Sequence, residues 1–326
     1  MTVAIKLTLQ IPPTFTPEDM QWARQMGVAN VSMHTVGGTL ETFRSVQKSA
    51  TDAQLALVNI GNTDVHNMPS VVLNLPDRDD KIAQYLAYLH NLYTLGISYT
   101  TYAHMASGLW CSDPATLRGG AVARTFDIDN SQGYWIKDRF QSCVSFDRVY
   151  SVEELWDNLA YFLQRVLPEA EKLGIRVGLH PDDPPGISLG GVPRILSSVS
   201  DFQRAFALGN SPNLGICLCA GTWLEGGATM GATVEEAIRI FADSDRLFKV
   251  HFRNVTSPVP KFAETFLDDG YGDMTSIMTA LRDVGFGGIL IADHVPETVG
   301  DWRIPWSLSI GYIQGLMDAL KVERER

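Results

Sequence analysis

From end to end the chain alternates short apolar runs with longer amphipathic stretches. Eight runs rich in aliphatic and β-branched residues read as strands: Ala4–Gln10, Ala29–Met33, Leu55–Ile60, Ser98–Tyr102, Arg176–His180, Leu214–Cys219, Leu247–His251 and Gly288–Asp293. Helical spacing fills the intervals over Thr16–Met26, Leu40–Ala50, Arg78–Leu95, Val152–Leu173, Val199–Leu208, Val234–Asp245 and Met274–Val284. Several helix-to-strand joins share one form, a small turn with Gly and then the strand, as in MGVANV, LGISYT, LGIRVG and VGFGGI. Glycine just past a helix end takes the left-handed backbone that such a turn requires.

Eight β/α repeats with short joins predict an α/β fold, a single (β/α)8 TIM barrel over residues 1–326. An open doubly wound sheet would show about six strands and a glycine-rich turn after the first, and the sequence has neither. Residues 108–146, after the fourth strand, are too long for a plain connection and carry few periodic features. They are expected to form a loop insertion over the active-site face.

Composition narrows the function classes. The 326 residues are 45% hydrophobic and 19% charged, and 26 basic residues against 37 acidic ones leave a net charge of −11. With no basic face, neither nucleic acid nor an anionic membrane is an expected partner. The N-terminal run is broken by Pro12 and Pro13 and lacks the features of a secretory signal. Four cysteines (Cys111, Cys143, Cys217, Cys219) form no CxxC pair, so reduced thiols in a cytoplasmic protein are expected.

Active sites of (β/α)8 barrels lie at the C-terminal ends of the strands. The second predicted strand ends beside His34, and the fourth runs into Tyr102 and His104. The fifth ends in His180-Pro181-Asp182-Asp183, the sixth in Cys219, the seventh in His251 followed by Arg253, and the eighth in Asp293-His294. Four consecutive strands thus bring His, Cys, His and Asp to one rim, all of them metal-ligand types. Cys217 and Cys219 share a strand face, so spacing alone leaves open which one would ligate. His66, in a polar loop, and His90, in a helix, read as ordinary packing or surface residues.

These residues carry a resemblance. LHPDDPP at 179–185, CAGT at 219–222, VHFRNV at 250–255 and Asp293-His294 resemble the D-mannonate dehydratase family, as do LPDRDDKIAQY at 75–85, RGGA with RTFD at 118–127, FAETFLDDGYGDM at 262–274 and the terminal GYIQGLMDAL. The family is similar to the xylose-isomerase-like barrels. The resemblance implies a divalent metal, Mn²⁺ first with Fe²⁺, Co²⁺ or Zn²⁺ as alternatives, held by His180, Cys219, His251 and Asp293. Thiolate ligation by itself favours Zn²⁺ or Fe²⁺.

The implied reaction is dehydration of an aldonic acid to a 2-keto-3-deoxy acid, with a small sugar acid as the partner. His294 matches a family catalytic residue. Arg253 is expected either to clamp the substrate carboxylate or to form an ion pair with Asp182 or Asp183. His34, Tyr102, His104, Arg118, Asp127 and Asp182 are candidates for substrate contacts. Self-association into a homo-oligomer is also expected.

Two departures from the family pattern stand out. The family carries a catalytic Tyr in a loop after the last strand, whereas Val299–Leu308 contains none, and Trp302 or Trp306 is expected to fill the space. The segment Tyr99-Thr-Thr-Tyr-Ala-His replaces one ending in a Tyr-Asn pair. Two further functions therefore stay open: a metal-dependent sugar isomerase or epimerase working through a cis-enediol, and a non-catalytic barrel that binds a sugar acid.

Overall fold

The structure, a computed structural model, describes residues 4–35, 37–106, 108–134 and 148–325. Eight parallel strands form a nearly closed barrel: β1 (Lys6–Ile11), β2 (Asn30–Thr35), β3 (Ala56–Asn62), β4 (Tyr99–Ala103), β5 (Arg176–His180), β6 (Leu214–Cys219), β7 (Leu247–Phe252) and β8 (Ile289–Ala292). The hydrogen-bonded order is β3-β2-β1-β8-β7-β6-β5-β4, every pairing parallel. The seam lies between β3 and β4. Tyr88, on the helix Arg78–Thr94, spans it by donating to the Ile60 carbonyl at 2.7 Å and sharing a hydrogen bond with Thr100 Oγ1 at 2.8 Å.

Alternation along the strands separates two interiors. Leu9, Val31, Leu218, Val250 and Leu290 join the large apolar core that the outer helices cover. Tyr99, Phe248, Ile289 and Ile291 form a small separate cluster inside the barrel. Most of the covering helices are amphipathic and begin with a side-chain cap, as at Thr16, Thr39, Ser151, Ser198, Thr233 and Asp273. Ser151 and Glu154 form a reciprocal capping box that opens Val152–Lys172, and Leu155, Leu159, Phe162, Leu163 and Val166 line its buried face.

The expected loop insertion is not simply a loop. Leu109–Thr116, Val122–Asp127 and Gln132–Tyr134 are strands, and they join Asn254–Val255 and Lys261–Thr265 in a five-stranded antiparallel sheet. Phe126 stacks on Phe262 across it, ring centroids 5.6 Å apart. Sequence periodicity misses these strands because their burial does not alternate: in Val122–Asp127 only Ala123 and Phe126 are buried. The remainder of the 108–146 segment, Cys143 included, lies outside the described residues.

Candidate active site

The predicted metal ligands converge at the C-terminal mouth. His180, Cys219 and His251 each place a ligand atom within 4.8 Å of the others. Each is fixed by its element. His180 ends β5, and its Nδ1 donates to the Pro181 carbonyl at 2.7 Å, which leaves Nε2 as the free lone pair. Cys219 ends β6 and caps the helix Ala220–Gly226, its Sγ accepting from the Thr222 amide at 3.4 Å. Burial alone would push the Cys219 thiol up, but Arg253, His180 and His251 outweigh it and hold the thiol well below its usual range.

Asp293 stands beside this trio, its Oδ2 3.2 Å from His251 Nδ1. That nitrogen is buried and makes no well-formed hydrogen bond. Burial would raise the Asp293 carboxyl, but His294 and His251 keep it well below the ordinary carboxylate range. Cys217 sits on the same strand face as Cys219, with Sγ 3.3 Å from His251 Nε2.

Next to the trio lies a buried ion cluster. Arg253 Nη1 meets Glu264 Oε1 at 2.6 Å; its Nη2 meets Glu225 Oε1 at 2.7 Å, Thr222 Oγ1 at 2.9 Å and Asp183 Oδ2 at 3.3 Å. Its stem runs over Gly221, where a Cβ would lie 1.9 Å from Arg253 Nε, so the close approach requires glycine. Arg124, from the antiparallel sheet, reaches Asp183 at 2.9 Å and Glu264 at 2.7 Å. Burial pushes Glu225 up despite Arg253, which leaves two guanidinium charges facing the two carboxylates of Asp183 and Glu264.

Arg253 therefore takes the ion-pair alternative, with Asp183 and not Asp182. Its side chain is 0% exposed and both terminal nitrogens are engaged, so no face is left to clamp a substrate carboxylate.

His294 overhangs a cavity of about 320 Å³ lined by Cys111, Val122, Arg124, Glu264 and Glu297 among others. Its backbone is left-handed, φ 46°, unusual for a residue with a Cβ. Nδ1 lies 2.6 Å from both Glu264 Oε1 and Arg253 Nη1, and Nε2 lies 3.7 Å from Asp293 Oδ2.

Other predicted contacts fall elsewhere. Tyr102 stacks on Phe162 of an outer helix at 4.2 Å and bonds His104 Nδ1 at 3.0 Å, so both face the helix layer and not the mouth. Asp182 is buried and pins a loop by accepting from the Leu196 amide at 2.8 Å; burial raises its carboxyl to about 6. Arg118 grips Asp268 with two contacts of 2.8 Å on the surface, and Asp127 pairs with exposed Lys261 at 2.9 Å. Trp302 packs edge-on against Trp22, ring centroids 5.2 Å apart, on the outer helix Pro17–Gln25, away from the mouth.

His34 does reach the barrel interior, half-buried, and burial with Lys249 and His251 nearby holds it down at about 4. Gly61 makes room for it, since a Cβ there would lie 2.8 Å from the ring.

Sequence reasoning passed over three groups. His66 sits edge-on to His34 at 5.2 Å, with Nδ1 3.2 Å from the Thr101 carbonyl. Lys249, fully buried, shares the inward face of β7 with His251, two residues on; that spacing was the available signal. The third is the Arg124–Glu264 pair, 140 residues apart in sequence, for which no local signal exists.

A sequence profile of the D-mannonate dehydratase (UxuA) family matches residues 20–326. The mannonate dehydratase of Enterococcus faecalis is 30% identical over 337 aligned residues, covering 92% of this chain and 92% of that protein. That of Thermotoga neapolitana is 29% identical, covering 88% of each. Among solved structures, mannonate dehydratase from Streptococcus suis serotype2 has a TM-score of 0.83 at 23% identity, covering 99% of this chain and 96% of its own. A xylose isomerase domain protein from Planctomyces limnophilus has a TM-score of 0.65 at 14% identity, covering 98% and 99%, a likeness of fold alone. By its profile match and its kinship along nearly the whole chain, this protein belongs to the D-mannonate dehydratase (UxuA) family.

Proposed function

We propose that the protein is a metal-dependent hydro-lyase that dehydrates D-mannonate, or a closely related aldonic acid, to the 2-keto-3-deoxy acid. The observation that carries this reading is that Asp293 links the His180–Cys219–His251 trio to His294, its Oδ2 lying 3.2 Å from His251 Nδ1 and 3.7 Å from His294 Nε2. Membership of the family supports it.

The donor set fits a divalent cation. Two imidazoles, a thiolate and a carboxylate arrive from four neighbouring strand ends, and ligand atoms of His180, Cys219 and His251 lie within 4.8 Å of one another. His180, Cys219, His251 and Asp293 would hold the ion. The family resemblance favours Mn²⁺, and the thiolate raises the affinity for Fe²⁺ or Zn²⁺. The cation supplies positive charge against the carboxylate and hydroxyl oxygens of the substrate as negative charge builds there.

The chain's own groups handle the proton. His294 Nε2 takes the proton from C2 and gives it to the C3 hydroxyl as the C3–O bond breaks, the hydroxyl leaves as water, and the resulting enol becomes the 2-keto acid. Protonation of that hydroxyl falls to a group other than a Tyr of the last loop, because Val299–Leu308 has none. Arg253, closed within its carboxylates, holds the mouth together and does not grip substrate. His34, with an uncharged ring that both donates and accepts, suits a sugar hydroxyl. Tyr102, His104, Arg118, Asp127 and Asp182 have no part in this reading.

The test is metal analysis of the purified protein followed by incubation with a panel of aldonic acids. Formation of a 2-keto-3-deoxy acid, abolished by chelation and restored by Mn²⁺, is the expected result. Bound metal with isomerised free sugar and no keto acid would replace this reading with an isomerase.

A further inference from the structure

The residue that governs the imidazole of His294 lies outside the barrel. Glu264 sits on Lys261–Thr265, a strand of the antiparallel sheet, paired with Val122–Asp127 through Ala263 opposite Thr125. Its carboxylate is buried, and a single oxygen, Oε1, receives Arg124 at 2.7 Å, Arg253 Nη1 at 2.6 Å and His294 Nδ1 at 2.6 Å. Arg253 Nη1 and His294 Nδ1 are themselves 2.6 Å apart.

Two proton arrangements can be drawn for this triangle, Nδ1 accepting from Arg253 Nη1 or Nδ1 donating to Oε1; each leaves one edge unbonded, and the negative charge of the carboxylate favours the second. The guanidinium is always a donor, and the carboxylate oxygen is an acceptor. If Nδ1 carried a lone pair, it would confront a carboxylate oxygen at 2.6 Å with no proton between them. If Nδ1 carries the proton, His294 and Arg253 both donate to Oε1, and the carboxylate balances them.

We propose that Glu264 is a positioning residue that fixes His294 in the Nδ1–H form and leaves Nε2 as the free lone pair on the Asp293 side of the mouth. Arg124 and Arg253 keep Glu264 ionised and in place for that task. The antiparallel sheet is thereby part of the proton-transfer apparatus, acting through the histidine. A carboxylate or carbonyl behind an imidazole commonly sets its tautomer and ring orientation. The inference rests on reading His294 as the proton-transfer group.

A purely structural Glu264 would only neutralise two arginines. Glu264→Gln separates the possibilities. The amide oxygen takes the place of Oε1 without its negative charge, so the preference for Nδ1–H is lost, Nδ1 accepts from Arg253 Nη1 and the proton of His294 moves to Nε2. The expected outcome in the metal-loaded enzyme is a kcat lower by about 10- to 100-fold with KM and metal content little changed, partly restored in Glu264→Asp. In a His294→Asn background the same Glu264→Gln change should cost nothing further. An equal loss in that background, or a folded, metal-loaded Glu264→Gln enzyme with unchanged kcat, overturns the proposal.

Imidazole ¹⁵N NMR of the wild-type enzyme loaded with diamagnetic Zn²⁺ gives an answer that needs neither turnover nor a stable variant. His294 protonated on Nδ1 agrees with the proposal, and an Nε2–H tautomer refutes it. If the enzyme were to lack dehydratase activity, the proposed reaction would fail while this spectrum still decided the role of Glu264.

Discussion

The two halves of the barrel mouth are built from different materials. Strands β5 to β8 end in His180, Cys219, His251 and Asp293, and beyond them lie Asp183, Arg253 and His294, all charged or readily charged groups. Strands β1 to β4 contribute His34 and, just past β3, His66, both held uncharged, while Tyr102 of β4 turns outward with His104. The comparison teaches that one half gathers charged groups and the other uncharged ones, which on the proposed function would hold a cation and move a proton in the first half and meet neutral hydroxyls in the second. A polyhydroxy acid, anionic at one end and uncharged along its tail, fits such a division.

The largest effect should come from the charged half. Arg253→Ala leaves the buried Asp183 and Glu264 to share Arg124 as their one remaining guanidinium, and loss of one partner from such a cluster costs about 3–5 kcal/mol. Thermal unfolding should show the fall, and a variant as stable as the wild type would mean that the cluster is not structural. A similar asymmetry divides the two inward cysteines of β6. Cys219→Ala should lower metal affinity by more than the roughly 10- to 100-fold that follows loss of a ligand's hydrogen-bond partner. Cys217→Ala should leave metal content unchanged, and equal losses in the two variants would remove the distinction between them.

On the neutral half, His34→Ala should raise KM about tenfold, the worth of roughly one hydrogen bond, with metal content and kcat retained. Loss of metal in this variant would place His34 in the charged half and blur the comparison.

The smallest effect is a pH dependence. Burial would raise the Glu264 carboxyl, but Arg124, His294 and Arg253 bring it down to about 2, below the unfolded value near ~4.3. A depressed carboxyl stabilises the fold above its unfolded pKa, and that contribution fades as pH falls through the folded value. The difference in unfolding temperature between wild type and Glu264→Gln should therefore be full at pH 5 and above, and shrink from about pH 4 toward pH 2. A constant gap would show that Glu264 titrates alike in both states.

The same contrast explains what the sequence reveals. All eight barrel strands and seven of the covering helices are legible to within a few residues, since long helical periods and short apolar runs report directly on burial, whereas the last helix, Arg303–Ala319, is not among the predicted stretches. The His, Cys, His and Asp that close β5 to β8 are legible too, because such a residue at the end of an apolar strand stands out against its neighbours. Strand β4 defeats the method. All five of its residues are buried, so no polar contrast sets the phase, and Tyr102 is misassigned to the mouth. The Arg124–Glu264–Arg253 cluster is invisible for another reason, since its members meet only after folding and no local spacing announces them.

The central claim is that this metal-holding rim and His294 together perform a dehydration. Its most direct test is keto-acid formation from D-mannonate by the metal-loaded wild type beside His294→Asn of equal metal content. The account predicts steady product from the wild type and a rate about 10²- to 10⁴-fold lower in the variant. Equal rates, or no product from a fully metallated wild type, would contradict it.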